Sequence, residues 1–355
     1  MKKSIGKVKA SAIGLDLSDT KANWYAIDDK GERISVGVVS LRNEAIERWA
    51  EGFFPTVIAI EAGGNSGWIS RALRKAGHDV VVANPVKVAL ITKNINKGDE
   101  VDAEYLARLV RFDRRLLHEI HHRSEEAQRD LQLLRSRDVL VRTRTALINH
   151  VRGAVKSFGD RLPASSANNF PKMAQKHLPK PLSEALEPVV QLIRELNVKI
   201  NASDKTIRRL PEKRYPEAKR LMQVKGVGAL TAMGYVLVIE DVHRFRRSRS
   251  VGPYLGLTPA RDQSGESDPE RRITGAGDEL LRRLLVQSSH YILGPFGPDC
   301  DLKRYGEKIS NRGGKKAKRR AVTAVARKLA VLLHRLWLTG QDYQPLHNNR
   351  IRIAA

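Results

Sequence analysis

Cysteine is nearly missing from this 355-residue chain, where Cys300 stands alone. A single thiol excludes an intrachain disulfide framework and any zinc site built from several cysteines. Long apolar runs are missing too. No stretch approaches the roughly 18 uninterrupted apolar residues of a membrane-spanning helix, and the opening MKKSIGKVKASAIGLDL has no apolar signal-peptide core. Acidic residues are in deficit, with 39 Asp and Glu against 64 Lys and Arg, a formal net charge of +25. Lys and Arg displace counter-ions from phosphates, so such an imbalance implies a polyanion partner; a basic protein of ribosomal type is the plain alternative. The expectation is a cytoplasmic, nucleoid-associated protein of a bacterium or archaeon, with no membrane partner. His118, His121 and His122 cluster in HEIHHR, which reads as a basic surface turn rather than a metal site.

What is present falls into three segments. Residues 8–122 alternate strand and helix signals. SAIGLDL (11–17), ANWYAID (22–28) and RISVGVV (33–39) read as a strand followed by a meander. A helix at NEAIERWAEGF, a strand at TVIAIE (56–61), a helix at WISRALRKAG and a strand at DVVVANP (79–85) follow. Three antiparallel strands extended by βα units predict an α/β ribonuclease-H-like domain. Residues 123–211 are helical. Leu133, Leu140, Leu147 and Ala154 recur every seven residues; beyond a Pro-rich connection at 159–182, Leu186, Ile193, Ile200 and Ile207 do the same. This spacing predicts an antiparallel coiled-coil hairpin or a dimer seam, with two helices of one bundle as the alternative. Residues 212–345 predict a mainly α C-terminal domain, rich in Gly and Arg, with basic runs at RFRRSR (244–249) and RGGKKAKRR (312–320).

The acidic residues, though few, are placed suggestively. Asp16 ends the first strand and Glu61 the fourth, and these strands are expected to be parallel neighbours with adjacent carboxyl ends, where open α/β sheets bind ligands. GDEVDAEYLARLV (98–110) adds Asp99 and Asp102, three apart on one helix face. Taken alone, these two are helix-capping residues, and capping geometry would hold them in place. Four converging carboxylates need a cation, and Mg²⁺ prefers such hard oxygen ligands.

LMQVKGVGALTAMGYV (221–236) has the form of a helix–hairpin–helix, in which Lys225, Gly226 and Gly228 would meet a DNA phosphate. A tight turn between packed helices is the alternative. In YLGLTPARDQSGESDPERRITGAGDELLRRLL (254–285), TGAGD resembles an anion hole of ribokinase-type enzymes, but no adenine-binding half accompanies it. Ser264 lies in a polar, Gly-containing loop. Such a serine is ordinarily a turn residue, and would attack phosphate only with help from Arg261, Arg271, Arg272 and a neighbouring metal site. Arg282, Arg283, Lys315 and Lys316 complete the basic surface expected to bind nucleic acid.

GLDLSDTK, IAIEAGG, GDEVDAEYLA, VKGVGALTA and GLTPARDQSGE followed by RRITGAGDELLRRLL together resemble the DEDD-type insertion-sequence transposases of the IS110 family, with the Piv-type DNA invertases. The likeness covers nearly the whole chain; one departure is EAGG, where Thr or Ser after Ala is more usual. The resemblance implies a RuvC-like N-terminal domain, a coiled coil and a transposase domain. It further implies a DNA recombinase guided by a structured bridge RNA that pairs double-stranded donor and target DNA. Asp16, Glu61, Asp99 and Asp102 would then be the Mg²⁺ ligands and Ser264 the nucleophile, with Ser267 close by in the same loop. A dimer or tetramer is expected, because the acidic residues and the serine are thought to meet between protomers. The competing readings are a RuvC-like nuclease without a covalent intermediate, a non-catalytic nucleic-acid-binding protein and, distantly, a sugar kinase.

Overall fold

The computed structural model describes residues 7–88, 98–269 and 271–347. The chain divides into two compact units, the first ending at Arg123 and the second beginning at Ser124.

The first unit is built on β1 (Ala12–Leu17), β2 (Lys21–Ile27), β3 (Arg33–Ser40), α1 (Asn43–Glu51), β4 (Val57–Glu61), α2 (Ser66–Lys75), β5 (Asp79–Ala83), α3 (Pro85–Val88) and α4 (Asp99–Asp113). The five strands form one mixed sheet in the order β3-β2-β1-β4-β5. β1 runs antiparallel to β2 and parallel to β4, and β4 runs parallel to β5. β1, β4 and β5 read as almost continuous apolar runs because both their faces are covered. β3, at the edge, alternates and leaves Ile34, Val36 and Val38 exposed.

Strand periodicity divides the core in two. Ile13, Leu15, Ile58, Ile60, Val80 and Val82 pack with Ile46 of α1 and with Ile69 and Leu73 of α2. The opposite face sets Ala12, Tyr25, Ile27, Ala59 and Val81 against Ala103, Leu106, Ala107 and Val110 of α4. The seat of α4 is unusually close. A Cβ at Gly14 would lie 2.0 Å from the Ala103 carbonyl oxygen and 2.6 Å from the Ala107 nitrogen. Glycine on β1 and alanines at i and i+4 on α4 thus let helix backbone rest on strand backbone.

The second unit is helical: α5 (Glu125–Ser157), α6 (Phe170–His177), α7 (Lys180–Lys213), α8 (Pro216–Leu221), α9 (Ala229–Ile239), α10 (Val251–Tyr254), α11 (Glu279–Leu293), α12 (Asp301–Ser310) and α13 (Gly314–Thr339). α5 and α7 pair antiparallel, since Ala127, Leu131 and Leu134 share a cluster with Ile207 and Leu210, while Val151 and Val155 share one with Leu182, Leu186 and Val190. The heptad on α7 is buried at Leu186, Ile193, Ile200 and Ile207. The heptad expected on α5 holds only towards its C-terminal end, where Leu147 and Ala154 pack partly buried on the α7 cluster beside buried Val151 and Val155. At the other end Leu133 is exposed, and Ala127, Asp130, Leu131 and Leu134 are buried instead.

Two features displace that seam. The first turns of α5 pack on α9, where Leu134 reaches Gly234. The middle of α5 is polar: Arg137 bonds Asp204 at 2.9 Å, and Arg144 donates to Asn197 at 2.7 Å and to Asn168 at 3.1 Å. Near the open end of the hairpin, buried Asp130 accepts from Arg214 at 2.8 Å and from the Tyr215 hydroxyl at 2.7 Å. α9, buried from Thr231 to Ile239, is the hub of this unit, and its Tyr235 donates to the Ala330 carbonyl of α13 at 2.6 Å.

The Gly14 contact makes a direct prediction. Gly14→Ala forces α4 off β1 and costs about 1–3 kcal/mol, the range for overpacking a dense core. Calorimetry should show a Tm lowered by several degrees; an unchanged Tm would mean that α4 is not seated this closely.

Candidate active site

Sheet register puts three polar side chains in one row across the carboxyl end of the sheet. Asp16 on β1 pairs directly with Asn23 on β2. On the other side, Glu61 ends β4 one position beyond the pair Leu15–Ile60. Strand alternation aims Asp16 and Glu61 to the α4 face, the face of Ala12 and Ala59. α4 delivers Asp99 as its first residue and Asp102 one turn on.

Neither aspartate caps the helix. The N-cap is Gly98, in extended conformation and without a side-chain cap bond. The expectation that capping holds the two aspartates is therefore corrected: Asp99 already lies inside the helix, and its carboxylate instead accepts from Asn23 Nδ2 at 3.0 Å. Asn23 had gone unnoticed in the sequence, although asparagine is a poor strand former and sits inside KANWYAI.

The carboxylates feel one another. Asp16 is raised to about 6, first by burial and then by the negative charges of Asp102, Asp99 and Glu61, against a lowering hydrogen bond from the Leu17 amide. Three of the predicted acids thus lie near enough to act on the fourth, Asp16. Among the described residues, however, no three His, Cys, Asp or Glu side chains are placed to hold one metal ion between them. The donor set itself suits a hard divalent cation: carboxylate oxygens throughout, with no sulfur or imidazole.

Two turns behind this row are strapped together. Asn65, in the Gly-rich turn after Glu61, donates to the carbonyls of Ser18 at 3.1 Å and Asp19 at 3.4 Å, and accepts from Trp68 at 3.2 Å. Ser66 bonds both backbone groups of Gly63 and lies 2.9 Å from His122 Nε2. His122 is therefore no surface-turn residue. It is half-buried, and its pKa is lowered by burial and by Arg74, Arg71 and Arg123.

The remaining predicted residues lie in the second unit. Ser264 and Ser267 face each other across a tight turn, each amide donating to the other's carbonyl at 3.0 Å, on an exposed arm whose stem is closed by Pro259 and Ile273. Arg261 pairs with Asp268 at 3.4 Å and Arg271 with Asp262 at 2.5 Å, while Arg272 lends its carbonyl to Ala260. The TGAGD stretch is the footing of this arm. A Cβ on Gly277 would lie 2.2 Å from the Tyr254 carbonyl oxygen, and one on Gly256 would lie 2.3 Å from the Ala276 nitrogen.

Arg282 and Arg283 are engaged internally. Arg282 donates to the Leu255 and Ala276 carbonyls at 3.1 and 2.6 Å, and Arg283 bonds Asp138 at 2.7 Å. Gly226 has a positive φ of 95°, and a Cβ there would press on Tyr291 of α11, so packing accounts for it. Gly228, the N-cap of α9, is exposed with open space beside it, as is Lys225 at the surface. Lys315 and Lys316 are exposed in the first turn of α13.

Residues 13–159, which contain all four carboxylates, match a DEDD-type IS110 transposase family, and residues 218–294, which contain the glycine turn and the serine arm, match the Transposase IS116/IS110/IS902 family. The chain belongs to the IS110/IS116 transposases. It is 28% identical over 344 residues to the transposase for insertion sequence element IS1111A of Coxiella burnetii, covering 94% of this chain and 91% of that protein. It is 29% identical over 294 residues to a probable family 20 transposase of Pseudomonas aeruginosa, covering 80% and 84%. A pilin gene-inverting protein of Moraxella lacunata is 28% identical over 123 residues, or 34% of this chain and 37% of that one. DNA is the substrate class of a transposase, and it suits the +25 charge. Among the described residues, no helix of the transposase is long and apolar enough to cross a membrane.

The raised Asp16 carries a pH signature. Unfolded, Asp16 ionises near 3.8; folded, near 6. The native state therefore keeps its proton longer, and the Asp16 contribution to stability is lost as pH rises through that window. In metal-free buffer, Asp16→Asn should be more stable than the wild type at about pH 7.5, with the difference vanishing below about pH 4. Equal Tm values at the higher pH would show that burial and the neighbouring carboxylates do not disfavour the Asp16 charge as argued.

Proposed function

We propose that this transposase cuts and rejoins DNA through an acidic tetrad on a RuvC-like, ribonuclease-H-type domain and a serine nucleophile on the C-terminal domain. Residues 8–122 form the catalytic domain in this reading, 123–211 a coiled-coil segment and 212–345 the transposase domain. The observation that supports it is Asp16 itself, raised to about 6 first by burial and then by the negative charges of Asp102, Asp99 and Glu61. Carboxylates at the end of a sheet in a basic protein repel the phosphates they are to meet unless a cation intervenes.

Asp16, Glu61, Asp99 and Asp102 would hold Mg²⁺, which when bound supplies charge neutralisation and polarises a phosphoryl oxygen. DEDD-type transposases are typically metal-dependent. Ser264, on its exposed arm, attacks the scissile phosphate: an Oγ–P bond forms, a P–O bond to the leaving DNA strand breaks, and the serine proton leaves to a base. A second DNA end then displaces the serine and reseals the strand. Arg261 and Arg271 flank the serine turn, each now held by a neighbouring aspartate that a phosphate can replace. Lys225, Gly228, Lys315 and Lys316 offer exposed positions for the DNA backbone, and the bridge-RNA guide and a dimer or tetramer belong to the same reading.

Ser264→Ala should lose strand joining by at least about 10³-fold and form no covalent protein–DNA adduct, whereas Ser267→Ala keeps both. Asp102→Asn should abolish cleavage. Undiminished cleavage by Ser264→Ala would instead support a water-using nuclease. RNA co-purified with the protein should be one short species encoded beside the gene; random cellular RNA would overturn the guide.

A further inference from the structure

We infer that Asn23 is the positioning residue of the acidic site, holding Asp99 beside Asp16 so that the tetrad can receive a divalent cation; this rests on the metal-binding reading above. Register comes first. Asn23 is the direct antiparallel partner of Asp16, and directly opposed residues point to the same face with Cβ atoms about 4.5–5.5 Å apart. The Asn23 amide reaches Asp99 Oδ2 at 3.0 Å, from a residue 76 positions earlier in the chain. A side chain tied to the cross-strand neighbour of Asp16 cannot swing away from Asp16.

Such a tie is needed. Asp99 begins its helix with no side-chain cap bond, and its negative charge lies close enough to Asp16 for the two to repel. Repulsion alone would turn its carboxylate towards water. An amide donor opposes that turn without adding charge of its own. A lysine in its place would neutralise Asp99 and compete with an incoming cation, and an aspartate would add a fifth negative charge. Asparagine is the neutral solution, which accounts for a poor strand former in the middle of β2.

The test uses the full-length protein and Mn²⁺ as the probe, with free Mn²⁺ read by electron paramagnetic resonance. Asn23→Ala should weaken Mn²⁺ binding about tenfold, the usual scale for residues that orient metal ligands. Tm in EDTA and DNA affinity should stay at wild-type values, and cleavage should recover as Mn²⁺ is raised. Asn23→Val, which suits a strand and lacks the donor, gives the same readout if the alanine variant folds poorly. Mn²⁺ affinity within twofold of wild type, or tighter, overturns the role assigned to Asn23. Asp16→Asn is the control. If it loses Mn²⁺ while Asn23→Ala keeps it, only the Asn23 inference fails; if it too binds normally, the metal reading itself falls.

Discussion

The backbone-to-backbone contact of α4 on β1 at Gly14 is the constraint on which the acidic site depends. It lets Ala103 and Ala107 settle on the strand, and the same approach sets the first turn of α4 over the strand ends that carry Asp16 and Glu61. Packing and charge pull in opposite directions here. Two like unit charges repel by roughly 1 kcal/mol in water and about 4 kcal/mol near a protein surface at a separation of about 4 Å, and by less when farther apart. Burying Leu106 and Val110 contributes about 1.5–3 kcal/mol each, with smaller terms from the two alanines. The positive end of the α4 dipole offsets part of the repulsion. Burial along α4 is thus large enough for the helix to stay seated although like charges meet at its first turn.

Similar opposition recurs in the helical unit, resolved by pairing instead of tolerated. Asp130 is almost fully buried, yet it has Arg214 and Tyr215 as donors, and the Tyr215 hydroxyl is pushed well above its ordinary pKa by burial and by that bond. Arg137 and Arg144 interrupt the apolar seam of α5 and are answered by Asp204 and Asn197 on α7. Mid-helix polar pairs of this kind fix register, since sliding one helix by a turn would strand each arginine without its partner. A rigid α5–α7 pair and a footing of close-packed glycines leave the serine arm as the exposed element of its neighbourhood.

The sequence was legible where one period governs a segment. β1, β4 and β5 are short apolar runs between turns, their ends fall at Asp16 and Glu61, and the observed order β3-β2-β1-β4-β5 sets those ends side by side. It was illegible where a residue answers to two partners. The α5 heptad holds at Leu147 and Ala154 but fails at Leu133, because that end of the helix packs on α9 and the middle is polar. Arg282 and Arg283 counted as phosphate-binding charge, yet one supports carbonyls and the other Asp138. Asn23 and Gly14 carry no periodic signal at all, because their roles arise from α4, more than 70 residues away.

That difference bears on how a strongly basic protein comes to hold an acidic centre. Diffuse positive charge draws DNA in over distances of about a Debye length, some 8–10 Å at ordinary salt. Within that range the nearest charges dominate, and at the end of this sheet they are negative. In the proposed reading, a phosphate steered to the protein by the surplus of Lys and Arg would be repelled at the carboxylates until a cation sits there. Long-range attraction would then recruit the polyanion, while short-range repulsion would make its final approach conditional on the metal. Gly14 and Asn23 are what keep that repulsion from relaxing away: one presses the helix down, and the other holds Asp99 to the row.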